Sequence, residues 1–167
     1  MRPRAAGGLL AAAALLAACA TLSETVERVG RGPRAEEIFL ARSFAVTNRM
    51  PTFDERRMWE DRVEQRLGRH LREHPELEQT PRYTDVRFWR QVGQGATREE
   101  VRVLLEEPDE RTVDPALMGA LAGPHWPAIA PRVREAWVYP LGWVVYFDDQ
   151  GAVEFVRRTW GRLDTLD

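Results

Sequence analysis

The sequence predicts an α+β chain in which helices pack on one face of a small antiparallel sheet of three to four strands. Three observations carry that prediction. Met50 to Pro75 repeats apolar residues at helical spacing, Thr97 to Pro108 holds a short helix with a start and a stop, and the chain beyond residue 108 alternates in strand-length runs. A chain of 167 residues with 44% hydrophobic and 30% charged residues suits one globular domain with extensions.

Residues 1–18 read as a lipoprotein signal peptide. Arg2 and Arg4 give a positive start, and Ala5 to Ala18 is an apolar run too short to span a bilayer. The run ends in Leu16-Ala17-Ala18-Cys19, which resembles the lipobox of bacterial lipoproteins and makes Cys19 the expected acylated N-terminus. Cys19 is the chain's single Cys, so no disulfide forms within it. Each buried methylene adds about 0.8 kcal/mol, so two or three acyl chains hold a protein at a membrane almost permanently. Ala20 stands where an Asp would resemble an inner-membrane retention signal, and the expected address is the periplasmic face of the outer membrane. The rest of residues 19–34 reads as a tether, its periodicity broken by Gly30, Gly32 and Pro33.

Residues 35–80 read as a helical extension. Ala35 to Ala45 can be helical without a clean apolar stripe. Between Met50 and Pro75, Thr52 and Glu55 form a capping box, Trp59, Val63, Leu67 and Leu71 recur every four residues, and Pro75 stops the helix. Residues 81–167 read as the main α+β domain. A helix starting at Thr80-Pro81 places Tyr83, Val86, Trp89 and Val92 on one side and ends before Gly93 and Gly95. The next helix opens with a second capping box, Thr97 and Glu100, and buries Val101, Leu104 and Leu105 before Pro108.

Strands are predicted at Glu110 to Val113, Glu135 to Tyr139, Trp143 to Phe147 and Ala152 to Arg158. Pro140-Leu141-Gly142 and Asp148-Asp149-Gln150-Gly151 supply turn chemistry, so neighbouring strands run antiparallel. Alternation gives Trp137 and Tyr139 one face and Ala136 and Val138 the other, while Val145 and Phe147 oppose Val144 and Tyr146. Pro115 to Pro131 holds 17 residues without Asp, Glu, Lys or Arg and reads as a long loop, either a flap over the core or a contact surface. Met118, Leu121 and Trp126, with neighbouring Arg132 and Arg134, are its expected partner contacts, the arginines for lipid phosphate or acidic groups.

Charge and motifs exclude several function classes. Lys is absent, and 24 arginines against 26 acids leave no basic groove for nucleic acid. No G-x-S-x-G, Cys/His pair or Gly-rich phosphate loop is present, so no catalytic residue and no cofactor is expected. His70-Leu71-Arg72-Glu73-His74 matches the H-x-x-E-H string of one zinc peptidase group, but Pro75 disfavours helical geometry at His74. Two solvent-facing histidines at a helix C-terminus account for the string, and no metal is expected. Trp59, Trp89 and Trp137 fall on core stripes; Trp126 and Trp160 do not.

Taken in order, Gly95, Ala96, Thr97 and Val101, then Pro108, then Trp137 and Tyr139, then Phe147, Asp148, Gly151 and Val153 resemble the SmpA/OmlA (BamE-type) family of small outer-membrane lipoproteins. The likeness covers roughly Tyr83 to Arg158. It implies a β-lactamase-inhibitor-like fold, two helices on one face of a three-stranded antiparallel sheet, used for binding. Ala96 stands where the family carries Met, and the helical part before Tyr83 is larger than in typical members. The expected function is a non-enzymatic outer-membrane lipoprotein, held by acylated Cys19, that acts as scaffold or accessory binding module in envelope assembly, alongside the β-barrel assembly machinery. The alternative is a periplasmic inhibitor or ligand-binding module acting on an envelope enzyme.

Overall fold

A computed structural model describes residues 31–159. The signal peptide, Cys19, the tether up to residue 30 and Trp160 lie outside those residues. The fold is α+β. Its main sheet is antiparallel and runs in chain order: β3 (Glu110–Thr112), β4 (Val133–Tyr139), β5 (Trp143–Asp148) and β6 (Val153–Arg158). A second, two-stranded ribbon pairs β1 (Arg31–Arg34) with β2 (Gln91–Gly93). The tether thus ends earlier than expected: the chain at Arg31 to Arg34 is extended because Gln91 to Gly93 offers it backbone partners.

The helices are α1 (Ala35–Thr47), α2 (Phe53–Glu73), α3 (Pro81–Arg87), α4 (Arg98–Leu105), α5 (Pro115–Ala122) and α6 (Trp126–Ile129). Both predicted capping boxes form. The Glu55 amide donates to Thr52 Oγ1 at 3.3 Å while Thr52 N donates to Glu55 Oε2 at 2.7 Å. At α4, Glu100 N donates to Thr97 Oγ1 at 3.2 Å and Thr97 N to Glu100 Oε2 at 2.7 Å. These bonds satisfy donors that every helix start leaves open.

Strand register follows the alternation. Trp137 pairs with Val145 and Tyr139 with Trp143, so the side chains that share a face are those the period of two assigns. Trp137, Tyr139, Trp143, Val145 and Phe147 form one core with Ile38, Trp59, Val63, Leu67, Val101 and Leu104. The 35–80 region is therefore part of the principal core; the Phe39 and Trp59 rings stack at 4.6 Å beside it. Arginines from α1 and α2 tie down the end of α4. Arg42 donates to Leu105 O at 2.8 Å and Glu107 O at 2.6 Å, and Arg66 Nε donates to Val103 O at 2.9 Å. Those carbonyls have no partner within the helix, which stops at Glu106 with φ +65°.

Two expectations are corrected by packing. Helices cover both faces of the sheet, not one: Ala136, Val144 and Tyr146 on the opposite face form a second core with Met118, Ala122, Ile129 and Val133. An aromatic and aliphatic face of that size would not stay wet. The cover is Pro115 to Pro131, which is not a loop but α5, a 3₁₀ turn over Gly123–His125, and α6. Its prolines open pieces of helix instead of breaking one. Pro115, Pro124 and Pro127 each sit in a first turn, where a missing N–H costs nothing, and Asp114 caps α5 by accepting from Ala116 N at 2.8 Å.

Candidate functional site

The predicted contact residues are mostly structural. Met118 is buried in the second core, and its carbonyl accepts from the Tyr146 hydroxyl at 3.2 Å, so it is no surface contact. Leu121 and Trp126 are half-buried against that core; the Trp126 indole lies over Gly119, and Leu121 O accepts from Arg157 at 2.8 Å. Arg132 and Arg134 are exposed. Arg132 pairs with Glu154 at 2.5 Å, and Arg134 bonds the carbonyls of Pro131 and Val133.

The residues of the family-like motif do come together, as a joint between α4 and the sheet. Gly95, at φ +80°, donates to Val153 O at 2.7 Å, Thr97 bridges Ala152, and Arg98 N donates to Gly151 O at 3.0 Å. Gly151, at φ +79°, closes the β5–β6 turn, where Asp148 accepts from Gln150 N and Ala152 N. Val101, Trp137, Tyr139 and Phe147 fill the space beneath α4, and Pro108 follows the helix in the segment leading to β3. Burial pushes the Tyr139 and Tyr146 hydroxyls upward, so both stay protonated donors, Tyr139 to Glu106 O at 3.2 Å. The motif is scaffold.

Exposed apolar side chains gather elsewhere, around the turn from α1 to α2: Phe44, Val46, Met50, Phe53 and Met58, of which Phe53 is 78% exposed. Beside them an apolar groove of about 310 Å³ runs between α1, α2 and α4, lined by Ile38, Phe39, Val46, Trp59 and Leu104. Phe88 and Trp89 form a second exposed pair next to β2. Trp89 was expected in the core, but α3 ends at Arg87 and Arg90 takes φ +46°, which turns the chain off the helical stripe. The sequence signal for the first group was there: Phe44, Val46, Met50 and Phe53 are apolar residues that no helical stripe uses.

Titratable side chains meet between the end of α2 and the start of α4. His70 is 3% exposed, its Nδ1 3.4 Å from Glu99 Oε1, and neither ring nitrogen has a hydrogen-bond partner among the described residues. His74 Nε2 lies 3.6 Å from Glu99 Oε2 and its Nδ1 3.4 Å from Glu76 Oε1. The expectation of two solvent-facing histidines fails for His70, which sits one turn before the helix end and faces α4 and the Tyr83 ring. Burial pushes the Tyr83 hydroxyl up to about 12, with the Glu100 charge adding to the effect. Glu73 is exposed and does not border the cleft beside these histidines. Against family models, curated proteins and solved structures the chain finds no match, so its likeness to SmpA/OmlA lipoproteins rests on the motif residues alone.

Proposed function

We propose that the protein is a non-enzymatic lipoprotein, anchored through Cys19 at the periplasmic face of the outer membrane, that serves as a scaffold or accessory binding module in envelope assembly. The observation that carries this reading is the exposed apolar group Phe44, Val46, Met50, Phe53 and Met58 around the turn from α1 to α2. Clustered apolar surface of this kind marks protein contact sites, whereas isolated exposed hydrophobics need no explanation. Leu16-Ala17-Ala18-Cys19 supports membrane residence, and the SmpA/OmlA-like motif supports an assembly role beside the β-barrel machinery. The apolar groove next to the same turn favours a second reading, a module that binds and inhibits an envelope enzyme.

A photo-crosslinking residue at Phe44 or Phe53 in the acylated protein, activated in intact cells, separates these readings. An adduct with an outer-membrane assembly protein is expected. An adduct with a soluble hydrolase supports inhibition instead. No adduct, or a chain recovered unacylated in the soluble fraction, overturns the proposal.

A further inference from the structure

We propose that His70, His74 and Glu99 form a binding site for a divalent transition metal of the zinc class. Their donor atoms all lie within 4.8 Å of one another. In a tetrahedral site with bonds of about 2.0–2.1 Å, neighbouring ligand atoms stand roughly 3.3 Å apart. His70 Nδ1 lies 3.4 Å from Glu99 Oε1 and His74 Nε2 lies 3.6 Å from Glu99 Oε2, so the carboxylate faces both rings, one oxygen to each, at close to that spacing.

Secondary structure builds the donor set. His70 lies in the last turn of α2, His74 is the non-helical residue that caps its end with its ring 4.8 Å from that of His70, and Glu99 comes from the first turn of α4. The C-terminal end of α2 carries the negative end of its dipole, which suits a cation. The carboxylate of Glu76, next to His74 Nδ1, holds that ring with Nε2 turned toward Glu99. Metal-bound histidines are commonly oriented by such an outer carboxylate.

His70 gives the strongest reason to expect an occupant. A buried ring with two nitrogens lacking hydrogen bonds among the described residues is rare, and an ion at Nδ1 would supply a partner for one of them. The fourth position faces an open cleft of about 380 Å³ bordered by Thr97, Gln150 and Gly151, with room for water. Arg98 and Arg102 also border it, but each guanidinium is paired, Arg98 with Glu135 at 2.8 Å and Arg102 with Glu107 at 3.2 Å. Two imidazoles and one carboxylate suit zinc, while calcium and magnesium take oxygen donors. Glu73, the acid of the H-x-x-E-H string, lies away from the cleft, so the site is not that of the peptidases the string suggests.

The test is calorimetric titration of the chelator-treated full chain with zinc chloride, with magnesium chloride as control. One equivalent of zinc and no magnesium uptake are expected. His74→Gln and Glu99→Gln, at half-buried and exposed positions, should keep the far-UV spectrum and weaken zinc binding at least about tenfold. Glu73→Gln and Cys19→Ser should bind as the parent does, the latter excluding the thiol as the ligand. Zinc should also raise the parent's melting temperature and leave that of the His74→Gln chain unmoved. The proposal is overturned if the parent takes up no zinc, or if His74→Gln and Glu99→Gln bind as tightly as the parent.

Discussion

Arg98 Nε donates to Glu135 Oε2 at 2.8 Å, and the other oxygen of Glu135 accepts from the Trp137 indole at 2.5 Å. One carboxylate on β4 thus holds the first residue of α4 and a fully buried Trp of the principal core. Glu135→Ala would leave the buried indole N–H without an acceptor and should cost about 2–3 kcal/mol. Arg98→Ala leaves the indole bond in place and should cost about 1 kcal/mol or less, since the pair is partly exposed. Urea unfolding of both variants checks the order, and equal losses would sink the argument.

The second core makes a sharper claim. Met118→Ala should destabilise by about 2–4 kcal/mol, the range for truncating a buried Met, although the residue lies in an uncharged and proline-rich stretch. Deleting residues 115–131 would uncover Ala136, Val144 and Tyr146 and remove the Tyr146 hydroxyl's acceptor. The deleted chain should aggregate or bind a hydrophobic dye, as size-exclusion chromatography and dye fluorescence would register. A monomeric, cooperatively folding deletion variant would show the cover to be dispensable.

Gly142 has φ +73°, and a Cβ there would run into the Thr159 carbonyl, backbone that cannot swing aside. Gly142→Ala should cost at least about 2 kcal/mol in thermal or urea unfolding, since left-handed strain and a backbone clash act together. Gly68 offers the control. Its added Cβ meets only the far end of Arg72 at 3.5 Å, and Gly68→Ala in the middle of α2 should stabilise by about 0.5–1 kcal/mol.

Acid should weaken the α1–α2 turn. The Arg49 guanidinium bonds Glu55 through both nitrogens, and with the Thr52 amide it holds the Glu55 carboxyl down at about 2, from an ordinary 4.5. A folded-state value below the unfolded one means stability that is full above about pH 4.5 and disappears as pH falls through about 2. Glu55→Gln should therefore melt lower than the parent near neutral pH, and the two curves should converge as pH approaches 2. A constant gap across that window would mean that the pair contributes nothing through charge.

Much of this architecture could be read from residue order. Thr52 with Glu55 and Thr97 with Glu100 mark helix starts because the donors they satisfy are local. The sheet faces of Trp137 and Val144 were legible because a period of two admits no other arrangement. What escaped depended on distant partners. Arg31 to Arg34 becomes a strand only because Gln91 to Gly93 arrives beside it, and nothing nearby in sequence announces that. The prolines of 115–131 look like breakers until each is seen in a first turn. The histidine cluster was half legible: the string supplied His70 and His74, but the third donor, Glu99, comes from another helix, and local spacing offered Glu73 in its place.

The forked side chains of Arg42 and Arg66 have an implication for the composition itself. Each spans acceptors on α4 or the segment after it that a single ammonium on a flexible stem could not cover together; Arg42 alone reaches Leu105 O, Glu107 O and Asp109. In a protein devoid of lysine, an exchange that looks neutral on a charge map would unpick girders, and the monotony of its cations has become part of the frame.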